Sequence, residues 1–182
     1  MHTDLVQRAQ DGDEQAFASL AVAVGNRLHA VAHRILRDTD LAEDATQQAL
    51  LAIWRDLPQL RDPQRFDAWS YRLVVRACYA EGRKARSWSP KLRALTADEL
   101  AVREDLNLVI DRDQLDRGFR RLSINHRAVV VLHHYLDMSV EEVAQTLGVP
   151  LGTVRSRLHY AMRALRSALE ADARPAAREV AR

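Results

Sequence analysis

Apolar residues recur at helical spacing along most of the chain, interrupted by short polar turns. The sharpest block is 139–166, S-V-E-E-V-A-Q-T-L-G-V-P-L-G-T-V-R-S-R-L-H-Y-A-M-R-A-L-R. Val140, Val143, Ala144 and Leu147 predict one short helix. Ser139 and Glu142, three apart, form a capping box in which the hydroxyl takes one backbone N–H and the carboxylate the other. Gly148 can adopt the left-handed backbone of a C-cap, and Pro150 presets φ for a second helix. There Val154, Leu158, Ala161, Met162 and Leu165 make one apolar stripe, while Arg155, Ser156, His159 and Tyr160 occupy another face, flanked by Arg157 and Arg163. Two short helices around a glycine turn read as a helix-turn-helix.

Upstream, Asp4–Gln10 reads as a short helix broken by Asp11-Gly12-Asp13. Asp13 caps a long helical region with Ala16, Phe17, Leu20, Val24, Leu28, Val31, Ala32, Ile35 and Leu36 inward, and Gly25-Asn26 marks a candidate kink or break. After a turn and cap at Asp38-Thr39-Asp40, Leu41–Leu57 is helical, with Ala45, Ala49, Ile53 and Trp54 inward. Asp44, Gln47, Gln48 and Leu51 share a different face that mixes polar groups with an apolar one. Asp62-Pro63 opens the next helix, whose core stripe is Phe66, Trp69, Leu73, Val74, Ala77 and Cys78. Its other faces carry Arg65, Arg72, Arg76, Arg83, Lys84 and Arg86.

From Ser87-Trp88-Ser89-Pro90 to about Asp111 amphipathic order fades, and a linker is expected over 91–110, basic at first and then acidic, with room for a short helix around Thr96–Glu104. Helix resumes through Leu115, Phe119 and Leu122, and Ser123 caps another with Ala128, Val129, Leu132 and Leu136 inward. After Leu169 the Ala- and Arg-rich tail with Pro175 reads as frayed, and 173–182 is set apart as a tail. The expected architecture is all-α: two small helical bundles, 1–90 and 111–172, tethered flexibly, the second a helix-turn-helix.

Composition agrees. Among 182 residues there are only 6 Gly and 5 Pro, and 47% are hydrophobic, enough for helical cores. The net charge of +2 says little about a polyanion partner, so the distribution of charge matters more than its sum. The single cysteine, Cys78, excludes an internal disulfide and a cysteine-based zinc site, and its apolar surroundings predict a small buried hydrophobe. No signal-like segment opens the chain and no apolar run nears the ~20 residues of a membrane span, so a soluble, cytoplasmic protein is expected.

Candidate chemistry points to binding. The outer face of the last helix carries guanidiniums beside Ser, His and Tyr, with no carboxylate between Leu151 and Leu169. Arginine grips phosphates or reads guanine edges bidentately, so this face suits DNA better than a merely solvated one. The basic helix after Pro63 suits single-stranded nucleic acid through its arginines, while Phe66 and Trp69 are read as core rather than as stacking platforms. His126, His133 and His134 make no metal set, since adjacent histidines diverge by about 100° on a helix. No nucleophile elbow, phosphate loop or glycine-rich fingerprint occurs, so no enzyme, cofactor or metal is expected.

Four segments carry a resemblance: L-V-Q-R-A-Q-D-G-D-E-Q-A-F-A-S-L (5–20), L-A-E-D-A-T-Q-Q-A-L-L-A-I-W (41–54), F-D-A-W-S-Y-R-L (66–73) and V-P-L-G-T-V-R-S-R-L (149–158). In this order and spacing the chain resembles bacterial RNA polymerase sigma factors of the extracytoplasmic-function group, over roughly 3–86 and 111–170. The resemblance implies a first domain that binds core polymerase and the −10 promoter element, and a second that reads the −35 element. It assigns Asp44, Gln47, Gln48 and Leu51 to the clamp of the largest polymerase subunit, and implies the flap of the second-largest as a further contact of the chain. Arg72, Arg76 and Lys84 would hold the non-template strand, and the loop Leu60–Gln64 would pocket a flipped base. Arg155, Ser156, His159 and Tyr160 would face the −35 groove, with Thr153 and Arg157 on phosphates. The linker would run toward the RNA exit path, and an anti-sigma factor is the implied regulator. Arg76, Ala80 and Ser70 stand where relatives often carry Asn, Asp and Leu, so the family's −10 preference does not transfer directly. The competing readings are a stand-alone helix-turn-helix regulator with a helical sensor or dimerisation domain, and a helical interaction protein that binds no DNA.

Overall fold

The computed structural model describes residues 3–88 and 115–179, and every regular element among them is helical. α1 (Thr3–Gln10) buries Val6 and Ala9. Gly12, at φ 93°, turns the chain, and the Asp13 carboxylate accepts the Ala16 N–H at 2.9 Å to start α2 (Glu14–Leu36). Asp13 also pairs with Arg8 at 2.7 Å, which ties α1 to the start of α2. α2 is unbroken through Gly25, so there is no break there: the buried stripe Leu20, Val24, Leu28 and Val31 continues across it, and packing overrides one weak helix former. Arg37 ends α2 in the left-handed region at φ 60°.

Asp38 caps α3 (Thr39–Asp56) through the Leu41 N–H. Two short 3₁₀ turns, Leu57–Gln59 and Pro63–Arg65, the second capped by Asp62, lead into α4 (Phe66–Trp88). α3 packs on both α2 and α4, and α1 closes the end of the bundle beside the 3₁₀ turns. Trp54 does not point inward as expected: it is 45% exposed and meets Phe17 edge-on at 4.5 Å, because Ala49 and Ile53 already fill the α2–α3 contact. Cys78 is buried, and burial pushes its thiol up to about 12, so it is an inert core residue.

In the second bundle, residues 115–121 form α5, and Ser123 caps α6 (Ile124–Val130). The chain continues as one π-helical turn, Val131–Tyr135, before Asp137 turns it at φ 51°. α7 (Val140–Leu147) starts at the complete Ser139–Glu142 capping box and ends at Gly148, φ 65°. α8 (Leu151–Glu179) buries Val154, Ala161 and Leu165 against this bundle. The tail expected to fray is helical to Glu179, consistent with its alanines, arginines and glutamates, which are strong helix formers.

The two bundles are not apart. α4 packs on α7, α2 packs on α6 and the π turn, and buried apolar residues run from one bundle into the other. The linker expected over 91–110, the short helix around Thr96–Glu104 and the side chain of Arg86 lie outside the described residues.

Candidate nucleic-acid interface

The polar and basic face expected on α8 is exposed as the pattern predicts. Arg155, Ser156, His159 and Tyr160 are exposed, and Val154 beneath them is fully buried. The His159 and Tyr160 rings lie 6.0 Å apart, and the Arg163 guanidinium sits 5.9 Å from the Tyr160 ring centre. Ser156 Oγ donates to the Thr153 carbonyl at 3.0 Å, a bond it can release to a ligand. Among the described residues one carboxylate reaches this face from outside the helix: Glu141 of α7 stands 3.8 Å from Arg155. Thr153 and Arg157 are half-buried at its edge. The Arg157 charge bears on Tyr79 of α4, whose phenol is pushed up by burial.

On α4 the three basic residues divide. Arg76 is exposed and available. Arg72 is engaged across the bundles, its guanidinium donating to the carbonyls of Gln145 and, at 3.2 Å, Thr146. Lys84 pairs at 2.7 Å with Glu81, a carboxylate only 4% exposed. Gln48 of α3 donates to the same Glu81 oxygen. Burial alone would raise Glu81, but the bonds from Lys84 and Gln48 outweigh it and hold the carboxylate below its ordinary value. A residue assigned to polymerase and one assigned to DNA thus share a partner that the pattern did not single out. The Glu81–Lys84 spacing of three was the one sequence signal for it. Ser70, inside the aromatic motif, is fully buried and satisfied by donation to the Asp67 carbonyl at 2.8 Å.

Asp44, Gln47 and Leu51 lie exposed along α3, Leu51 at 69%, with Gln48 half-buried beside them. Leu51 and Trp54 give this face an apolar centre amid polar groups, the composition of a protein-docking surface. The loop Leu60–Gln64 borders a cavity of about 400 Å³ lined by Leu60, Arg65, Trp69 and Arg72 on one side and by Glu142, Gln145 and Thr146 of α7 on the other.

His133 Nδ1 donates to the Met138 carbonyl at 2.7 Å, a structural role. Among the described residues no group of three His, Cys, Asp or Glu could hold a metal ion, and no helix is long and apolar enough to cross a membrane.

The family models for Sigma-70 region 2 and Sigma-70, region 4 match residues 20–88 and 118–167. The chain is 33% identical over 140 residues to the ECF RNA polymerase sigma factor SigL of Mycobacterium tuberculosis, covering 75% of this chain and 79% of that one. It is 29% identical over 173 residues to the ECF RNA polymerase sigma-E factor of Escherichia coli, covering 88% and 90%. Among solved structures it is similar to CnrH in complex with the cytosolic domain of CnrY, with TM-score 0.65 and 25% identity over 93% of this chain and 97% of that one. The fold also matches the sigma factor RpoE of Bartonella quintana in complex with the anti-sigma factor NepR, with TM-score 0.69 and 22% identity over 85% and 96%. A charged helix-turn-helix, a basic α4 and an exposed mixed face on α3 therefore stand in the order of two matched regions, and the chain belongs to the extracytoplasmic-function sigma factors of the sigma-70 family.

Proposed function

We propose that this chain is an alternative sigma factor that seats on core RNA polymerase and directs it to promoters by reading a −10 and a −35 element. The observation that carries this is the exposed face of Arg155, Ser156, His159 and Tyr160 on a capped helix-turn-helix, in one chain with a basic region 2-like helix. Residues 1–90 act as the core- and −10-binding unit, and 111–172 as the −35 unit. Asp44, Gln47, Gln48 and Leu51 dock on the clamp of the largest polymerase subunit, and the second unit docks on the flap of the second-largest. Arg72, Arg76 and Lys84 hold the melted strand. Arg155, Ser156, His159 and Tyr160 enter the groove, and Thr153 and Arg157 contact phosphates. The mechanism is differential binding: unstacking a base costs a few kcal/mol, which contacts in the pocket must offset, and phosphate contacts make binding salt-dependent. No catalytic step is assigned to the chain. It acts where the polymerase is, in the cytoplasm, and an anti-sigma factor restrains it.

Reconstitution with core polymerase and run-off transcription tests this. Arg155→Ala loses promoter-specific transcripts and keeps core binding, while Leu51→Asp loses core binding and stays folded. A wild-type chain that ignores core polymerase and shifts a palindromic duplex as a dimer would support the stand-alone regulator in its place.

A further inference from the structure

Gln10, the last residue of α1, lies outside both matched regions. Its side-chain amide nevertheless makes the contacts that locate the loop leading to α4. Nε2 donates to the Leu57 carbonyl at 3.0 Å and to the Leu60 carbonyl at 2.7 Å, both part-buried. Leu57 opens one 3₁₀ turn, and its carbonyl also accepts the Leu60 N–H at 3.0 Å, which closes that turn. The second turn is held at its start by its N-cap Asp62, which accepts the Gln64 N–H at 3.0 Å. Between these two anchors the backbone passes through Leu60 in extended conformation, and Leu60 lines the cavity shared with Arg65, Trp69 and Arg72. A buried carbonyl seeks a donor, and one primary amide with two N–H groups serves both carbonyls at once. Few other side chains could span them from one position.

We infer that Gln10 is a positioning residue for the −10 specificity loop: by fixing the two carbonyls it sets where Leu60 stands, and so the shape of the pocket that receives the captured base. The inference rests on the reading of the Leu60–Gln64 loop as the −10 pocket. α1 becomes part of the promoter-reading apparatus without touching DNA.

The test is run-off transcription by the full chain with core polymerase, on templates that differ at single −10 bases and, separately, at single −35 bases. Two variants are compared with wild type. Gln10→Met keeps the length and removes both donors, and Gln10→Lys keeps donors on a similar stem. Gln10→Met narrows the ratio between best and worst −10 base by about fivefold, the effect of one net hydrogen bond, and leaves the −35 ratios unchanged. Gln10→Lys returns the −10 ratio toward wild type. If Gln10→Met keeps the wild-type −10 ratio, or if −10 and −35 ratios fall together, Gln10 is structural only and the inference is overturned. If Gln10→Met does not fold, a folded Gln10→Lys with a −10 ratio as narrow as background overturns it as well. A wild-type chain indifferent to every −10 base removes the pocket reading itself, and that outcome is seen before any variant is made.

Discussion

The Arg72 guanidinium donates to the Thr146 carbonyl at 3.2 Å and to the neighbouring Gln145 carbonyl, across the contact between the two bundles. Both carbonyls sit at the carboxyl end of α7, where the helix concentrates partial negative charge. A phosphate of the melted strand would present the same chemistry, so on the proposed role of Arg72 α7 and the strand would compete for one cation.

Opening the bundles should therefore free Arg72. Gly82 on α4 faces Ile124 of α6 so closely that an added Cβ would stand 2.9 Å from the Ile124 Cδ1. Gly82→Leu is expected to wedge the bundles apart, expand the free chain in small-angle scattering, and tighten its binding to a single-stranded −10 oligonucleotide. Arg72→Ala should also loosen the contact, by about 1–2 kcal/mol for charge-assisted bonds at a half-exposed site, yet weaken oligonucleotide binding. Equal effects of both variants on the oligonucleotide would show that Arg72 is not contested.

Acid should weaken the fold at the same seam. His33 lines a cavity of about 500 Å³ with Arg34, Arg37, Asp116 and His134. Burial holds its imidazole below the ordinary 6.5, the charges of Arg37, His29 and Arg34 lower it further, and Asp38 opposes them. Because the unfolded imidazole binds a proton that the folded one refuses, stability is complete above 6.5 and falls as the pH drops through that value toward the folded one. Thermal unfolding should show this decline, and His33→Gln should flatten it; an unchanged slope in the variant would locate the titration elsewhere.

Arg127 is a costly residue for stability. Its Nη1 reaches the Leu36 carbonyl at 3.4 Å, its Nε is buried without a hydrogen-bond partner in the protein, and burial pushes the group down to about 10. One long hydrogen bond does not offset the desolvation of a cation, whereas apolar replacements of buried charges often stabilise by about 1–4 kcal/mol. Arg127→Met should raise the unfolding midpoint, as measured by calorimetry, and a clear fall would mean that the guanidinium is better satisfied than its geometry indicates.

Glu141 should temper DNA binding. It lies 3.8 Å from Arg155, and both side chains are more than half exposed, so the pair adds little stability. Against a phosphate backbone, however, its charge repels. Glu141→Gln should tighten −35 duplex binding by about fivefold at most, the upper range for an exposed pair, and more at low salt than at high salt. Titration at two salt concentrations distinguishes this from a shape effect, which would not depend on salt.

Asp13, Asp38, Ser123 and the Ser139–Glu142 pair all cap the helices their spacing announces, and the buried stripe and outer face of α8 fall where its period puts them. Caps and stripes join residues within one or two turns, so the sequence alone determines them, and with them the all-helical class and the helix-turn-helix. Three-dimensional packing decided the rest. Trp54 lies outward because its neighbours met α2 first, and α2 stayed whole at Gly25 because its stripe was buried on both sides. Arg72 on α7, Gln48 and Lys84 on Glu81, Gln10 on the Leu57 and Leu60 carbonyls, and Arg155 beside Glu141 are long-range choices, apart from the Lys84 pair. A flexible polar side chain bonds to whatever the fold brings within about 3 Å, and no local periodicity encodes which helix ends that will be.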